Sequence, residues 1–351
     1  MVKHLFPYLS VRCLSAAVLA GLWSSQAHAQ YNPDWARNFR VGVLTGFNIN
    51  ADFRMNGNFG VSGRPGATGV PGVNHNYSDG YVRVDDTGNA GGYTTYWGYE
   101  NADQYDSVNQ TLQMHSITGF STSSKGEADD DSPYIGFDLA YGGMIWRGER
   151  LRVGWEFGFG MLPITLTQNS TLRGPISGNT YEFSVPNGVI PPGAPYHGGS
   201  SGYDQPSIND IATLVGSTTA EGTISGTRTL DVTLYAFRLG PSLFWDLNRS
   251  FGLSLSAGPA LGFVSGEYRY DEIIDDGQTE ERQRGKFTAS DIVFGGYVNG
   301  ILTYHATQNG DLYISAQYMP LGSPTFSKGG RHAELDLSGA IYLSAGVSWP
   351  F

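Results

Sequence analysis

Apolar and polar residues alternate with a period of two along much of this chain, most strictly in its last eleven residues. Such a period places successive side chains on opposite faces of a β-strand. One face of this last segment is apolar and ends in aromatic residues, whereas the other is mostly small and polar. The pattern predicts a strand whose apolar face meets lipid while its other face lines a narrow barrel. The apolar face consists of Ile341, Leu343, Ala345, Val347, Trp349 and Phe351.

Seven earlier segments show the same alternation, so eight strands are predicted in all. Together they predict an all-β fold, an antiparallel up-and-down transmembrane β-barrel. The predicted strands are Arg40–Asn50, Pro133–Trp146, the segment containing Val153–Met161, Thr229–Trp245, the segment containing Phe251–Phe263, Phe287–His305, Asp311–Met319 and Ile341–Phe351.

The connections between these segments alternate between short and long. That asymmetry is typical of barrels with short periplasmic turns and long extracellular loops, and an even strand number places both termini in the periplasm. The short connections lie near residues 147–149, 246–249 and 306–310, and the long ones cover about 51–132, 166–228, 268–286 and 320–335.

Two segments within the first long connection also read as extended, namely Thr94–Tyr99 and Asn109–Thr118. If they crossed the membrane, the barrel would have ten strands. Gln110, Gln113 and His115 would then interrupt a lipid-facing surface. We therefore favour a hairpin that projects above the membrane, with ten strands as the alternative.

The strand pattern and the terminal aromatic residue resemble the small bacterial outer-membrane β-barrels typified by OmpA and OmpW. The resemblance implies that the outer-membrane assembly machinery recognises the last strand. It places Trp349 and Phe351 at the periplasmic interface, and deletion of Phe351 is expected to impair assembly more than stability. The likeness to OmpW implies a narrow channel for small or apolar solutes as an alternative function.

The N-terminus reads as a secretory signal. Basic residues precede the short apolar stretch Cys13–Trp23, and Ala27-His28-Ala29 matches a small-x-small cleavage site. We expect Sec-type export of a Gram-negative protein, with residues 1–29 removed and residues 30–351 forming the barrel domain. The only cysteine, Cys13, leaves with the signal, so the mature chain has no disulfide.

Net charge and hydropathy limit the classes of partner that this chain can bind. Without Lys3 and Arg12 the mature chain holds 19 basic and 32 acidic residues, a net charge of −13. This balance argues against nucleic acid as a partner. After the signal no apolar run approaches the 18 residues that a transmembrane helix requires. The expected partners are outer-membrane lipid, lipopolysaccharide and the assembly machinery, with a monomer as the expected state.

Three charged residues interrupt the glycine-rich inward face, namely Asp138, Glu156 and Arg238. Their distances from the short turns place them at similar heights in the lumen, which an eight-stranded barrel fills with side chains. We expect Arg238 to pair with Glu156, with Asp138 within reach. A static plug is the favoured interpretation of this lumen charge cluster, and a gate or acid–base catalysis are the alternatives.

The remaining signals are weaker. The acidic runs at 127–131 and 271–276 lack the spacing of an EF-hand, and His332 has no catalytic or metal-binding partner at a diagnostic spacing. No metal or cofactor is therefore expected. Aromatic residues in the first long connection could form a contact surface for glycans or proteins. They are Tyr93, Tyr96, Trp97, Tyr99 and Tyr105.

These observations favour a non-enzymatic structural or surface-interaction protein of the outer membrane. A narrow channel is the second hypothesis. A lipid-modifying enzyme is the third.

Overall fold

The computed structural model describes residues 36–58, 67–122, 126–129, 133–201, 205–277, 280–307 and 310–350. Two short 3₁₀ turns, Ala90–Gly92 and Ala102–Gln104, accompany the strands. The strands in chain order are β1 Arg37–Phe47, β2 Asn50–Asn58, β3 His75–Tyr77, β4 Gly80–Val82, β5 Tyr93–Thr94, β6 Trp97–Tyr99, β7 Tyr105–Asp106, β8 Thr111–Ser121, β9 Gly126–Asp129, β10 Tyr134–Arg147, β11 Leu151–Gln168, β12 Leu172–Ser184, β13 Tyr196–His197, β14 Ile208–Asn209, β15 Thr213–Asp246, β16 Phe251–Asp275, β17 Glu280–Tyr304, β18 Asp311–Tyr318, β19 Thr325–Lys328, β20 Arg331–Asp336 and β21 Ile341–Pro350.

Antiparallel pairing closes a ring within the described part of the chain. Around the ring the strands follow the order β1, β10, β11, β15, β16, β17, β18 and β21, and β21 returns to β1. Val41 at the centre of β1 lies opposite Leu139 on one side and Val347 on the other. The predicted class, an antiparallel up-and-down transmembrane β-barrel, is confirmed. The two segments of the ten-strand alternative lie outside this ring, in β5, β6 and β8.

An apolar belt surrounds the lower part of the ring. On β15 it runs from Trp245 up to Tyr235, and its side chains point outward, with Leu239 52% exposed. Ten residues separate its two ends. At about 3.4 Å per residue and a tilt of about 40°, they span roughly 25 Å, the height of a lipid-facing band. The strand alternation therefore places a membrane-sized apolar surface on the outside.

Three ring strands continue far beyond this belt. β15 has 34 residues, and β16 and β17 have 25 residues each. The upper part of β15 pairs with β12, and the sheet continues through β8, β2 and β20 to β19. Much of the chain expected in the long connections 51–132 and 166–228 is thus sheet. The alternation continues above the membrane, but most outward residues there are polar. An apolar alternation therefore predicts strands that end too early.

The interior of the upper region is an apolar core. Phe53, Tyr268, Phe326 and Leu335 are fully or almost fully buried there, together with inward residues of β11, β15 and β16. Above it lies a cap, which consists of a small sheet of β3, β4, β6 and β13 and the pair β5 and β14. Among the described residues, no helix has the length and apolarity needed to cross a membrane.

Candidate functional site

The lumen at membrane height holds a cluster of four charged side chains. Arg238 donates two hydrogen bonds to Asp138, from Nη1 to Oδ1 at 2.7 Å and from Nη2 to Oδ2 at 2.9 Å. Arg40 donates from Nη2 to Oε2 of Glu156 at 2.5 Å. Asp138, Glu156 and Arg238 are each at most 4% exposed. Buried charges are tolerated when they are paired, and each of these four side chains has an oppositely charged partner.

The three residues expected to meet do meet, but the closest pairing differs from the expected one. Arg238 binds Asp138 in a bidentate pair, whereas its Nε lies 3.8 Å from Oε1 of Glu156. Glu156 is held instead by Arg40, which the sequence reasoning did not single out. The signal was available, because Arg40 shares the inward face of β1 with Gly42 and Gly46. The bidentate geometry follows from the match between a guanidinium fork and a carboxylate.

A second buried network lies higher in the same lumen. Glu272 receives hydrogen bonds from Nε of Arg228 at 2.6 Å and from Nε of Arg331 at 2.9 Å. Gln168 and Gln283 each accept another hydrogen bond from one of these arginines, at 2.7 Å. Glu272 and Arg228 are completely buried. The sequence reasoning missed this network because it placed Glu272 in the long connection 268–286, whereas β16 extends to Asp275 and its inward face includes Glu272.

These two networks, with apolar side chains between them, fill the barrel. On β15 the inward residues between Arg228 and Arg238 are Leu230, Val232, Leu234 and Ala236, all at most 5% exposed. Charges at both heights have partners, and the space between them is occupied by hydrocarbon. This arrangement supports the static plug and gives no support to the narrow-channel hypothesis.

The aromatic residues of the first long connection divide into two groups. Trp97 and Tyr99 are at most 3% exposed and belong to the cap core, whereas Tyr93 is 45% exposed. Tyr96 is half-buried and receives a hydrogen bond at 3.2 Å from Arg83. The predicted contact surface is therefore mainly the packed interior of the cap.

Carboxylates fix the loops of the cap. Asp85 accepts hydrogen bonds from the Thr87 hydroxyl and from the backbone N–H groups of Thr95, Thr87 and Asn89. Desolvation by burial favours a higher pKa for Asp85, but these hydrogen bonds outweigh it and lower the pKa to about 2. The carboxylate therefore stays ionised and organises the turn at any physiological pH.

A histidine–aspartate clasp joins the cap to the sheet below. Asp79 is buried and accepts the backbone N–H of His115 at 2.7 Å, and its other oxygen lies 2.6 Å from Nδ1 of the same residue. The hydrogen bond with Asp79 raises the pKa of His115, against desolvation by burial, which lowers it. His115 was expected only to interrupt a lipid-facing surface, and the structure instead places it at this junction.

Of the periplasmic interface residues, Trp349 is 42% exposed and stacks on Phe39 with ring centroids 6.2 Å apart. Phe351 lies outside the described residues, as does the predicted signal at residues 1–29. Their roles stay predictions.

Neither of the other weak signals forms a site in the described residues. His332 lies in β20, and its neighbour Glu334 accepts a hydrogen bond from Arg54 at 2.5 Å. Across the described ranges, no group of three or more His, Cys, Asp or Glu side chains is arranged to hold a metal ion. Within the acidic run at 271–276, Asp271 binds the guanidinium groups of Arg282 and Arg284.

No protein-family model and no curated protein matches the chain. Among solved structures, the outer-membrane protease OmpT of Escherichia coli matches with 12% identity and a TM-score of 0.36, covering 92% of this chain and 98% of that one. The attachment invasion locus protein Ail of Yersinia pestis matches with 10% identity and a TM-score of 0.24, covering 90% and 99%. A Pseudomonas aeruginosa FadL homologue matches with 12% identity and a TM-score of 0.20, covering 90% of each chain. All three are outer-membrane β-barrel proteins, as the resemblance drawn from the sequence implies.

One expectation needs correction. The sequence favoured a non-enzymatic protein over an enzyme, but an outer-membrane protease is among the similar structures, so that expectation is withdrawn. With 12% identity and a TM-score of 0.36, the likeness carries no proteolytic activity over to this chain. The fold itself rests on the strand pairing described above.

Proposed function

We propose that this protein is a monomeric β-barrel of the outer membrane of a Gram-negative bacterium, with a role in binding partners at the cell surface. It would reach the outer membrane after Sec-type export. The terminal strand with Trp349 and Phe351 would be the signal for the assembly machinery. The upper part of β15 would bind an extended segment of a partner protein by strand addition.

The observation that carries the proposal is the unprotected edge of β15. Residues 213–222 pair with β12 on one side, whereas β16 begins to pair only at Thr223. Within the described ranges no strand occupies the other edge of this ten-residue stretch. Natural proteins usually protect such edges, because a row of unpaired backbone N–H and C=O groups readily pairs with another chain.

The composition of this edge suits strand addition. Leu214 and Val215 are 47% and 49% exposed, and Thr213–Ala220 contains no charged residue. A side chain added at Gly216 would meet open space. A partner strand would gain backbone hydrogen bonds along the edge and apolar contacts at these two residues. Glycans have no such backbone, so the proposal commits to a protein partner.

The test is adherence of bacteria that display the protein to immobilised extracellular-matrix protein, either intact, treated with glycosidase or treated with protease. The variant V215K/T219K places charges along the free edge, which opposes strand addition. We expect at least a tenfold loss of adherence for this variant, no effect of glycosidase and loss after protease.

The matched control is T229K/T233K, which introduces the same charges at the same spacing on β15 where both edges are paired. This control should adhere like the unmodified protein, and heat-modifiable gel mobility should show that both variants are folded. Equal adherence of V215K/T219K and the control would overturn the proposal, and so would adherence that glycosidase abolishes.

A further inference from the structure

The outward residues of the wall above the apolar belt form rows of paired residues that run from β15 through β16 to β17. The belt ends with the row Tyr235, Phe263 and Ile292. Each further row lies two residues higher on every strand, because alternate residues share a face. In ascending order the rows are Thr233–Ser265–Ser290, Asp231–Glu267–Thr288, Thr229–Arg269–Lys286, Thr227–Asp271–Arg284 and Ser225–Ile273–Arg282.

These rows hold a ladder of ion pairs, which we call the outer ladder. Arg269 binds Asp231 at 2.6 Å and Glu267 at 3.1 Å, and Lys286 binds Glu267 at 2.8 Å. Asp271 likewise binds two basic side chains, Arg282 at 2.9 Å and Arg284 at 3.0 Å. The outer ladder consists of Asp231, Glu267, Arg269, Asp271, Arg282, Arg284 and Lys286.

The outer ladder has one more positive than negative charge, although the mature chain carries −13. Its basic side chains are 52% to 69% exposed, so they reach solvent despite their carboxylate partners. Arg284 contacts Asp271 through Nε at 3.0 Å. A guanidinium has five N–H donors, so both of its Nη groups are unused in that contact. The ladder can therefore take a further anion.

The height of the ladder indicates which anion. Arg269 lies six residues above Phe263 on β16. At about 3.4 Å per residue and a tilt of about 40°, it lies roughly 15 Å above the end of the belt. Long basic side chains extend several ångströms along a surface to reach a headgroup. The groups that meet an outward-facing side chain at this height are the sugars and phosphates of outer-leaflet glycolipids.

We infer that the basic residues of the outer ladder, with Arg269, Arg284 and Lys286 at its centre, bind the phosphate groups of an outer-leaflet glycolipid. Arginine suits this ligand because its fork donates two parallel hydrogen bonds to phosphate. The carboxylates keep the cations in place and are competitors for them. The site is separate from the free edge of β15 and does not depend on a protein partner.

The probe is bisphosphorylated lipid A, presented in phosphatidylcholine nanodiscs to the folded full-length protein in the presence of EDTA, with bound lipid measured by native mass spectrometry. The triple variant R269S/R284S/K286S should retain at least tenfold less lipid A. The control R54S/K328S, which removes basic residues outside the ladder, should retain it like the unmodified protein. Dephosphorylated lipid A should bind equally weakly to all three.

A second variant separates binding from a structural role of the ladder. D231N/E267Q removes two competing carboxylates, so it should raise lipid A retention, whereas a merely structural ladder would give no increase. Equal retention by the triple variant and the control would overturn the inference, as would no increase for D231N/E267Q. Inorganic phosphate is titrated as a separate arm. Tight binding of phosphate alone, abolished in the triple variant, would reassign the site to a free anion and overturn the lipid assignment.

Discussion

The lower and upper parts of the barrel wall have opposite polarity. At membrane height β15 presents Leu239 and Leu243 outward and Arg238 inward. Above the membrane the same strand presents Asp231 outward and Leu230 and Val232 inward. One unbroken strand of 34 residues carries both arrangements. The outer surface follows its solvent, lipid below and water above, whereas the interior needs only to be filled and electrically compensated.

The largest effect is expected from unbalancing the lumen charge cluster. Arg238→Leu leaves Asp138 buried without its bidentate partner, which should cost about 3–5 kcal/mol. The free energy of unfolding, measured by urea titration in detergent micelles, checks this value. The double variant R238L/D138L should regain much of the loss, because both buried charges are removed. Equal stability of the single variant and the unmodified protein would refute compensation as the organising rule of the lower lumen.

The contrast between the apolar and polar parts of the outer wall can be tested by placing a charge at two heights of β15. Leu239→Arg places a charge in the middle of the apolar belt and should cost about 2–4 kcal/mol. Thr227→Arg, outward on the same strand but opposite Asp271, should cost close to nothing. The same urea titration in lipid bilayers measures both. Similar costs at the two positions would contradict the assigned height of the membrane.

The cap offers a titratable contrast to the arginine pairs of the lumen. Because the pKa of His115 is raised in the folded state, the clasp with Asp79 contributes fully below the unfolded pKa of about 6.5. Its contribution is lost as the pH rises through the raised folded value. The clasp is expected to stabilise the cap by about 1 kcal/mol, and this contribution should therefore decrease towards alkaline pH. Asp276 and Asp103 favour the charged form in the same way.

Hydrogen exchange of residues 75–106 between pH 6 and pH 9, corrected for intrinsic rates, measures this change. Exchange should be faster at the higher pH. His115→Gln should remove the pH dependence, because its amide does not titrate. A pH dependence that persists in this variant would assign the effect to another group.

The smallest effect is expected from the ion pair between Arg269 and Asp231. These side chains are 52% and 45% exposed, so a double-mutant cycle on them should give less than about 1 kcal/mol. The same cycle on Arg238 and Asp138 gives the coupling energy of a buried arginine–aspartate pair. The difference between the two coupling energies measures the effect of burial. A coupling energy as large as that in the lumen would contradict the assignment of the ladder to the water-exposed wall.

The sequence predicted the barrel strands better than the upper region. Period-two alternation located the membrane segments because lipid demands an apolar residue at every second position. Above the membrane that demand ends, so Thr229 was taken as the start of a strand that begins at Thr213. The same limit affected the site: Asp138, Glu156 and Arg238 were found on the inward face, but Arg40 and the network around Glu272 were missed.

The sequence by itself determined which residues face lipid and which face the lumen, because the strand period fixes the two faces locally. Only the tertiary structure decided which lumen charges pair. Arg238 meets Asp138 rather than Glu156, because closing the ring sets the relative heights and side-chain directions of β10, β11 and β15. The tertiary structure also decided that residues 213–222 of β15 lack a paired strand on one edge within the described ranges. It likewise brought the seven charged side chains of the outer ladder together above the belt. Register and closure bring together residues from distant parts of the chain, and no local pattern specifies them.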